Sequence, residues 1–204
     1  MRGIEQIPWL YDGICALAEW RGLGAWRRWL VHGARGRTLD LGCGTGRNLA
    51  IFPAGVRAIG VDPALVSLRR AGRRAPAAPL VCARAEALPF RAGVFDTVVC
   101  GLVLCSVRDP ARGLAEARRV LRADGTLRAL EHVRSTRRWK ARVQDWIQPA
   151  WTWLAGGCHP NRDTERTVEA AGFTIEAEGR RAEADFRRFA ARPGRADGAG
   201  TMTP

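Results

Sequence analysis

The chain has 204 residues, 47% of them apolar, enough for one domain with a single core; that composition excludes a disordered polymer. Its longest apolar run, near Val98 to Leu104, is far below the roughly 20 residues of a membrane-spanning helix. No secretory leader opens the chain, because Arg2, Glu5 and Pro8 interrupt the apolar residues, so a cytoplasmic location is expected. The net charge of +13 rests on arginine, Lys140 being the only lysine, and is spread from end to end. Without a localised basic stripe or an appended binding module, no nucleic-acid partner is expected. Six cysteines lack metal-binding spacing, so reduced thiols and no metal site are expected.

The pattern divides one domain, residues 1–192, into four blocks followed by a flexible tail, 193–204. Residues 1–36 form a Trp-rich helical cap. In residues 37–132, strands are expected at Arg37–Leu41, Val56–Val61, Leu80–Ala83, Phe95–Gly101 and Thr126–Glu131, the last after an Asp124–Gly125 turn. Helices fall between them at Asn48–Phe52, Ala64–Arg73 and Pro110–Leu121. Strands alternating with helices at this spacing imply βαβ units and a parallel sheet covered on both faces. Residues 133–165 form a Trp- and Arg-rich helical insertion after strand five. In 166–192, helix Asp163–Ala171 is followed by β-like Phe173–Ala177 and Ala184–Phe189, which could close the sheet as a hairpin.

The strongest motif runs from Asp40 through Leu41, Gly42, Cys43, Gly44, Thr45, Gly46 and Arg47 to Asn48. A buried strand ends in three alternating glycines, then a helix begins. Glycine lets the backbone turn sharply and lets a ligand approach without a Cβ in the way. A dinucleotide fingerprint would place glycine where Arg47 stands; the aspartate before the loop instead suits a ligand with a positive amino group. Asp62, at the end of the second strand, can accept both ribose hydroxyls of an adenosine; read alone, Asp62–Pro63 is also a turn with a helix cap. Ala85 to Phe90, after the third strand, lies where an adenine ring would be held.

Together these residues resemble the class I S-adenosylmethionine-dependent methyltransferases, over residues 37–132. Asp40–Gly46 resembles their first motif, Asp62 their ribose-binding acid, and Ala85–Phe90 the adenine-side loop of the ubiquinone-type enzymes. Arg84 stands where many relatives carry an aspartate. A narrower resemblance lies in Val99–Val107, Arg119–Gly125, Glu131–Val133, Gln148–Trp151 and Gly156–Cys158, which are similar to the membrane-associated alkyl thiol S-methyltransferases. Their long apolar N-terminal anchor is not seen here. The resemblance implies a Rossmann-like, seven-stranded, mostly parallel α/β sheet with an antiparallel terminal hairpin. It implies S-adenosyl-L-methionine as cofactor, held by Tyr11, Asp40, Gly42, Cys43, Gly44, Gly46, Asn48, Asp62, Pro63, Ala85, Glu86 and Leu102.

All eight tryptophans lie outside the cofactor core. They could roof an apolar acceptor pocket, pack extra helices onto the sheet, or lie with arginines against an anionic membrane at the inner surface. His132, directly after strand five, and His159 are the candidate bases. The expected partner is a small apolar acceptor, a thiol by resemblance. A phospholipid amine, quinone or natural-product acceptor is the alternative within the same chemistry, and a non-catalytic cofactor-binding regulator the alternative outside it. Oligomeric state is left open.

Overall fold

The computed structural model describes residues 13, 22–154 and 157–194. Tyr11, Trp9, Trp20 and the tail from residue 195 onward lie outside these residues. Five strands, β1 (Arg37–Leu41), β2 (Arg57–Asp62), β3 (Leu80–Cys82), β4 (Phe95–Gly101) and β5 (Leu121–His132), pair in parallel in the order β3-β2-β1-β4-β5. Two antiparallel strands extend the path, with β8 (Phe186–Pro193) seated between β5 and β6 (Phe173–Ile175). The short β7 (Arg181–Glu183) pairs with β8 off this path. The mostly parallel seven-strand path with an antiparallel end is the expected Rossmann-like sheet. The terminal hairpin differs in detail: β7 and β8 form the tight turn, and β6 pairs with the far half of β8.

Period-two alternation in the central strands assigns the two faces. Leu39, Leu41, Val98, Cys100, Leu127 and Ala129 point to one core, which α3 (Pro110–Val120) covers with Leu114, Ala117 and Val120. Val99 and Leu130 point the other way, against Trp26, Leu30 and Ala34 of α1 (Gly24–His32) and the residues after it. Each such buried Leu or Val contributes about 1.5–3 kcal/mol. Arg128 stands on the α1 face and closes that helix: its Nε and Nη2 donate to Leu30 and Trp29 carbonyls at 2.8 and 2.6 Å. Its guanidinium lies 4.1 Å from the Trp29 ring centroid. Trp26 and Trp29 therefore pack a helix onto the sheet.

Local chemistry fixes the other helices. Asp109 caps α3 by accepting from Arg112 N at 3.0 Å, with Pro110 in the first turn. Asp163 caps α5 (Thr164–Ala170) by accepting from Arg166 N at 3.2 Å. The expected helix after the glycine loop shrinks to one 3₁₀ turn, Leu49–Ile51, because Pro53 forces Phe52 into an extended conformation. The Asp124–Gly125 turn lies inside β5: Leu121 pairs with Phe95 and Thr126 with Thr97, and the intervening residues form an irregularity. The remaining helices are α2 (Leu65–Arg74) after β2 and α4 (Arg138–Leu154) after β5.

Candidate cofactor and acceptor site

Connections leave β1 and β4, adjacent at the centre of the sheet, in opposite directions. In an open α/β sheet the ligand crevice lies outside the carboxyl ends of such strands. Two loops meet there: the glycine loop after β1 and residues 102–107 after β4.

The three glycines of the first loop have separate reasons. All have left-handed backbone, with φ of +65° at Gly42, +52° at Gly44 and +79° at Gly46. A Cβ on Gly42 would strike Val103, and one on Gly46 would lie 2.8 Å from Ala71 Cα in α2. A Cβ on Gly44 meets nothing within 4 Å. Gly42 and Gly46 thus serve packing, and Gly44 presents bare backbone to open space.

Asp62 fastens the loop to the end of β2. Its Oδ2 accepts from Gly44 N at 3.0 Å and its Oδ1 from Ala64 N at 2.8 Å. Burial raises its carboxyl above the ordinary aspartate value, against those two bonds. Cys43 N donates to Val61 O at 2.9 Å, so β2 holds the loop twice.

Asp40 is wholly buried at the end of a chain that sequence spacing did not foretell. Arg27 of α1 donates to Asn48 Oδ1 at 2.6 Å, and Asn48 Nδ2 donates to Asp40 Oδ1 at 2.8 Å. Burial pushes the Asp40 carboxyl up to about 7, against the Asn48 bond and the Arg27 charge. Among the described residues, Asp40 Oδ2 is buried with no hydrogen-bond partner. A buried, half-satisfied carboxylate costs stability unless a donor reaches it.

The adenine-side segment is held differently from expectation. Glu86 Oε1 accepts from Asp109 N at 3.2 Å, its other oxygen lies 3.5 Å from Arg84 Nε, and Arg112 donates to its carbonyl. Its carboxylate is engaged in tying this segment to the start of α3. Pro63 follows Asp62, and Cys82 Sγ lies 3.6 Å from its carbonyl.

Leu102 opens the second loop with φ of +61°, uncommon for a residue with a Cβ. Its N–H donates to Leu130 O at 2.7 Å. Glu131, wholly buried on β5, accepts from Val103, Leu104 and Cys105 N–H groups at 3.0, 3.1 and 3.3 Å. Burial pushes its carboxyl up to about 7 despite these three bonds.

A strap, residues 157–162, lies over this loop. His159 N donates to Cys105 O at 2.8 Å, and Arg162 donates to the carbonyls of Leu104 and Val107 at 2.6 and 2.7 Å. His132 stacks on Phe186, with ring centroids 5.1 Å apart, and its Nδ1 lies 4.0 Å from Cys158 Sγ. His159 Nδ1 lies 2.8 Å from Gln148 Nε2; an amide N–H facing that nitrogen leaves the ring proton on Nε2. Burial, then Arg162, lower its basicity. Strap and strand thus bring both candidate histidines beside the loop after β4.

The donor set fits the expected cofactor. Gly44 offers uncovered backbone, Asp62 retains free lone pairs, and Asp40 Oδ2 is an unspent acceptor suited to a cationic amine. Sequence reasoning missed Glu131, Arg162 and the Arg27–Asn48 link. The available signal for Glu131 was a carboxylate at the next period-two position after Leu127 and Ala129, on the same face of the strand.

Residues 39–129 match the family described as methyltransferase domain. Residues 39–129 are thus similar to a methyltransferase domain, the class that the fold and the glycine loop suggest. Among particular proteins, the chain is 38% identical over 154 residues to human thiol S-methyltransferase TMT1B, covering 71% of this chain and 63% of that protein. It is 34% identical over 120 residues to a ubiquinone/menaquinone biosynthesis C-methyltransferase of Geotalea uraniireducens, covering 52% of this chain and 51% of that protein. The chain thus spans less than two thirds of the length of these relatives. A Thermotoga maritima S-adenosylmethionine-dependent methyltransferase, solved as a possible histamine N-methyltransferase, superposes with a TM-score of 0.73 at 21% identity, over 93% of this chain and 97% of that one.

Proposed function

We propose that the chain is an S-adenosylmethionine-dependent methyltransferase acting on a small apolar acceptor, a thiol in the first instance. The observation that carries this reading is the glycine loop locked to Asp62 at the carboxyl edge of the sheet, with Gly44 open and Asp40 Oδ2 unsatisfied. The thiol rests on the likeness to thiol S-methyltransferases.

When bound, the cofactor supplies an electrophilic sulfonium methyl group. Asp62 takes the ribose hydroxyls, Asp40 and Asn48 face the amino-acid end, and the backbone around Gly42–Gly46 forms the floor. Cys43, Pro63 and Leu102 would line the cofactor, Ala85 and Glu86 would border its adenine, and Tyr11, outside the described residues, is assigned to the site by resemblance alone. Holding donor and acceptor aligned can lower the barrier by roughly 7–11 kcal/mol. A thiol with pKa near ~8.5 is partly ionised at neutral pH, so the protein needs alignment more than a strong base. His132 takes the acceptor proton. His159, with its proton on Nε2, orients the acceptor as a hydrogen-bond donor.

The test is S-adenosylhomocysteine formation with a panel of alkyl thiols, lipid amines, phenols and quinols. Turnover with thiols is expected. Turnover with quinols or amines alone would move the acceptor to the alternative class, and tight cofactor binding with no product would mark a non-catalytic binder.

Peripheral contact with an anionic membrane belongs to the same proposal. Trp139, Val143 and Trp146 lie on one face of α4 and are 62%, 47% and 85% exposed, with Arg138, Lys140 and Arg142 beside them. Exposed tryptophan flanked by cations suits a lipid headgroup boundary. No helix among the described residues is long and apolar enough to cross a membrane. Flotation with anionic but not zwitterionic vesicles is expected; flotation with neither removes this contact.

A further inference from the structure

Cys158 and Cys105 come from segments more than fifty residues apart and meet where the strap crosses the loop after β4. The crossing is rigid: His159 N bonds Cys105 O, and Arg162 bonds the carbonyls on either side of Cys105. The Cys158 sulfur lies within side-chain reach of Cys105, His132 and Trp151, with His132 Nδ1 4.0 Å away. Cys158 is half-buried, reachable by a small molecule, whereas Cys105 is buried. Cys43 is buried in the glycine loop and Cys100 in β4, and Cys82 is exposed on β3.

We propose that Cys158 and Cys105 form a redox-active pair, in which Cys158 reacts with a hydroperoxide and Cys105 resolves the product to an intramolecular disulfide. Donation from Cys105, then from His132 and Trp151, holds the Cys158 thiol well below its ordinary value. The Cys105 thiol is held above its own, first by that donation, then by burial and the Glu131 carboxylate. Exposure assigns the roles: Cys158, which a small molecule can reach, is the nucleophile, and its buried neighbour Cys105 keeps its proton until needed. The Cys158 thiolate attacks the distal oxygen of the hydroperoxide, the O–O bond breaks and alkoxide or hydroxide leaves, taking up a proton from water. Cys105 then loses its proton and its sulfur attacks the Cys158 sulfenic sulfur; the S–O bond breaks and water leaves. Two thiols are oxidised to one disulfide, and the hydroperoxide is reduced to alcohol or water. The disulfide staples the strap to the loop that Glu131 positions. The acceptor crevice is then fixed in one shape, independently of which acceptor it takes.

The full chain is treated with hydrogen peroxide, blocked with an alkylating agent and mapped by peptide mass spectrometry. The expected product is a Cys105–Cys158 disulfide, with Cys82 still reduced. Cys105→Ser should accumulate a Cys158 sulfenic acid that a 1,3-diketone traps, and Cys158→Ser should leave Cys105 reduced. The unchanged chain gives a second readout that no folding defect can confuse. At about pH 5.5, iodoacetamide should alkylate Cys158 at least about tenfold faster than Cys82. Equal rates at that pH, or oxidation of Cys105 in the Cys158→Ser chain, would overturn the pairing.

Discussion

Replacing Asp40 by Asn should make the protein more stable at pH 8 while weakening its hold on the cofactor. The carboxyl of Asp40 is wholly buried and pushed from 3.8 up to about 7. An acid raised in the folded state keeps a proton that the unfolded chain releases. Its contribution is therefore fully present below about pH 4 and lost as pH rises to about 7, after which it is constant. A shift of about three units corresponds to at most about 4 kcal/mol. Asparagine removes the charge and keeps an oxygen for Asn48 Nδ2, but turns an unpaired acceptor into an unpaired donor that costs about 1 kcal/mol. The net expectation is about 2–3 kcal/mol of added stability at pH 8 and a small loss at pH 4. Urea unfolding followed by tryptophan fluorescence measures both. Calorimetry should then show S-adenosylmethionine bound at least about tenfold more weakly, because a charge-assisted contact is lost. A variant less stable than the unchanged chain at pH 8 would refute the reasoning, since Asp40 would then be paying its own way as a charge.

Gly44→Ala should cost about 1 kcal/mol in stability from left-handed strain yet sharply weaken cofactor binding, as its methyl enters open space. Gly46→Ala should cost more than about 2 kcal/mol in thermal melting, because its methyl would press on the Ala71 backbone of α2. Glu131→Leu orphans three buried N–H groups, and about 3–6 kcal/mol should be lost on urea unfolding. His132→Ala should leave cofactor affinity unchanged in calorimetry and slow thiol turnover most at low pH; an unaffected rate from pH 6 to 9 would return His132 to packing against Phe186.

Local chemistry made much of this fold legible. Short apolar runs at Arg37–Leu41 and Phe95–Gly101 marked strands, Pro110 and Asp163 announced helix starts, and three glycines beside an aspartate marked the crevice. What escaped were partners supplied across long sequence distances. Arg128 closes α1 from β5, Arg27 reaches Asn48, and Glu131 organises a loop 26 to 28 residues upstream. No local periodicity encodes such contacts, because each depends on how layers stack. The expected hairpin of β6 with β8 left out the short β7 and the bonding of β8 to β5 along its length, which also depend on how distant segments meet. Glu86 was expected beside the adenine, and its carboxylate faces Arg84 and the start of α3, a contact that no local pattern encodes.

The most direct test is a calorimetric titration of the full chain with S-adenosylhomocysteine, run beside Asp62→Ala with circular dichroism to confirm that both are folded. One site per chain is expected, weakened at least about tenfold by the substitution. No heat from the unchanged chain, or equal affinity in the folded variant, would contradict a cofactor seated between Asp62 and the glycine loop.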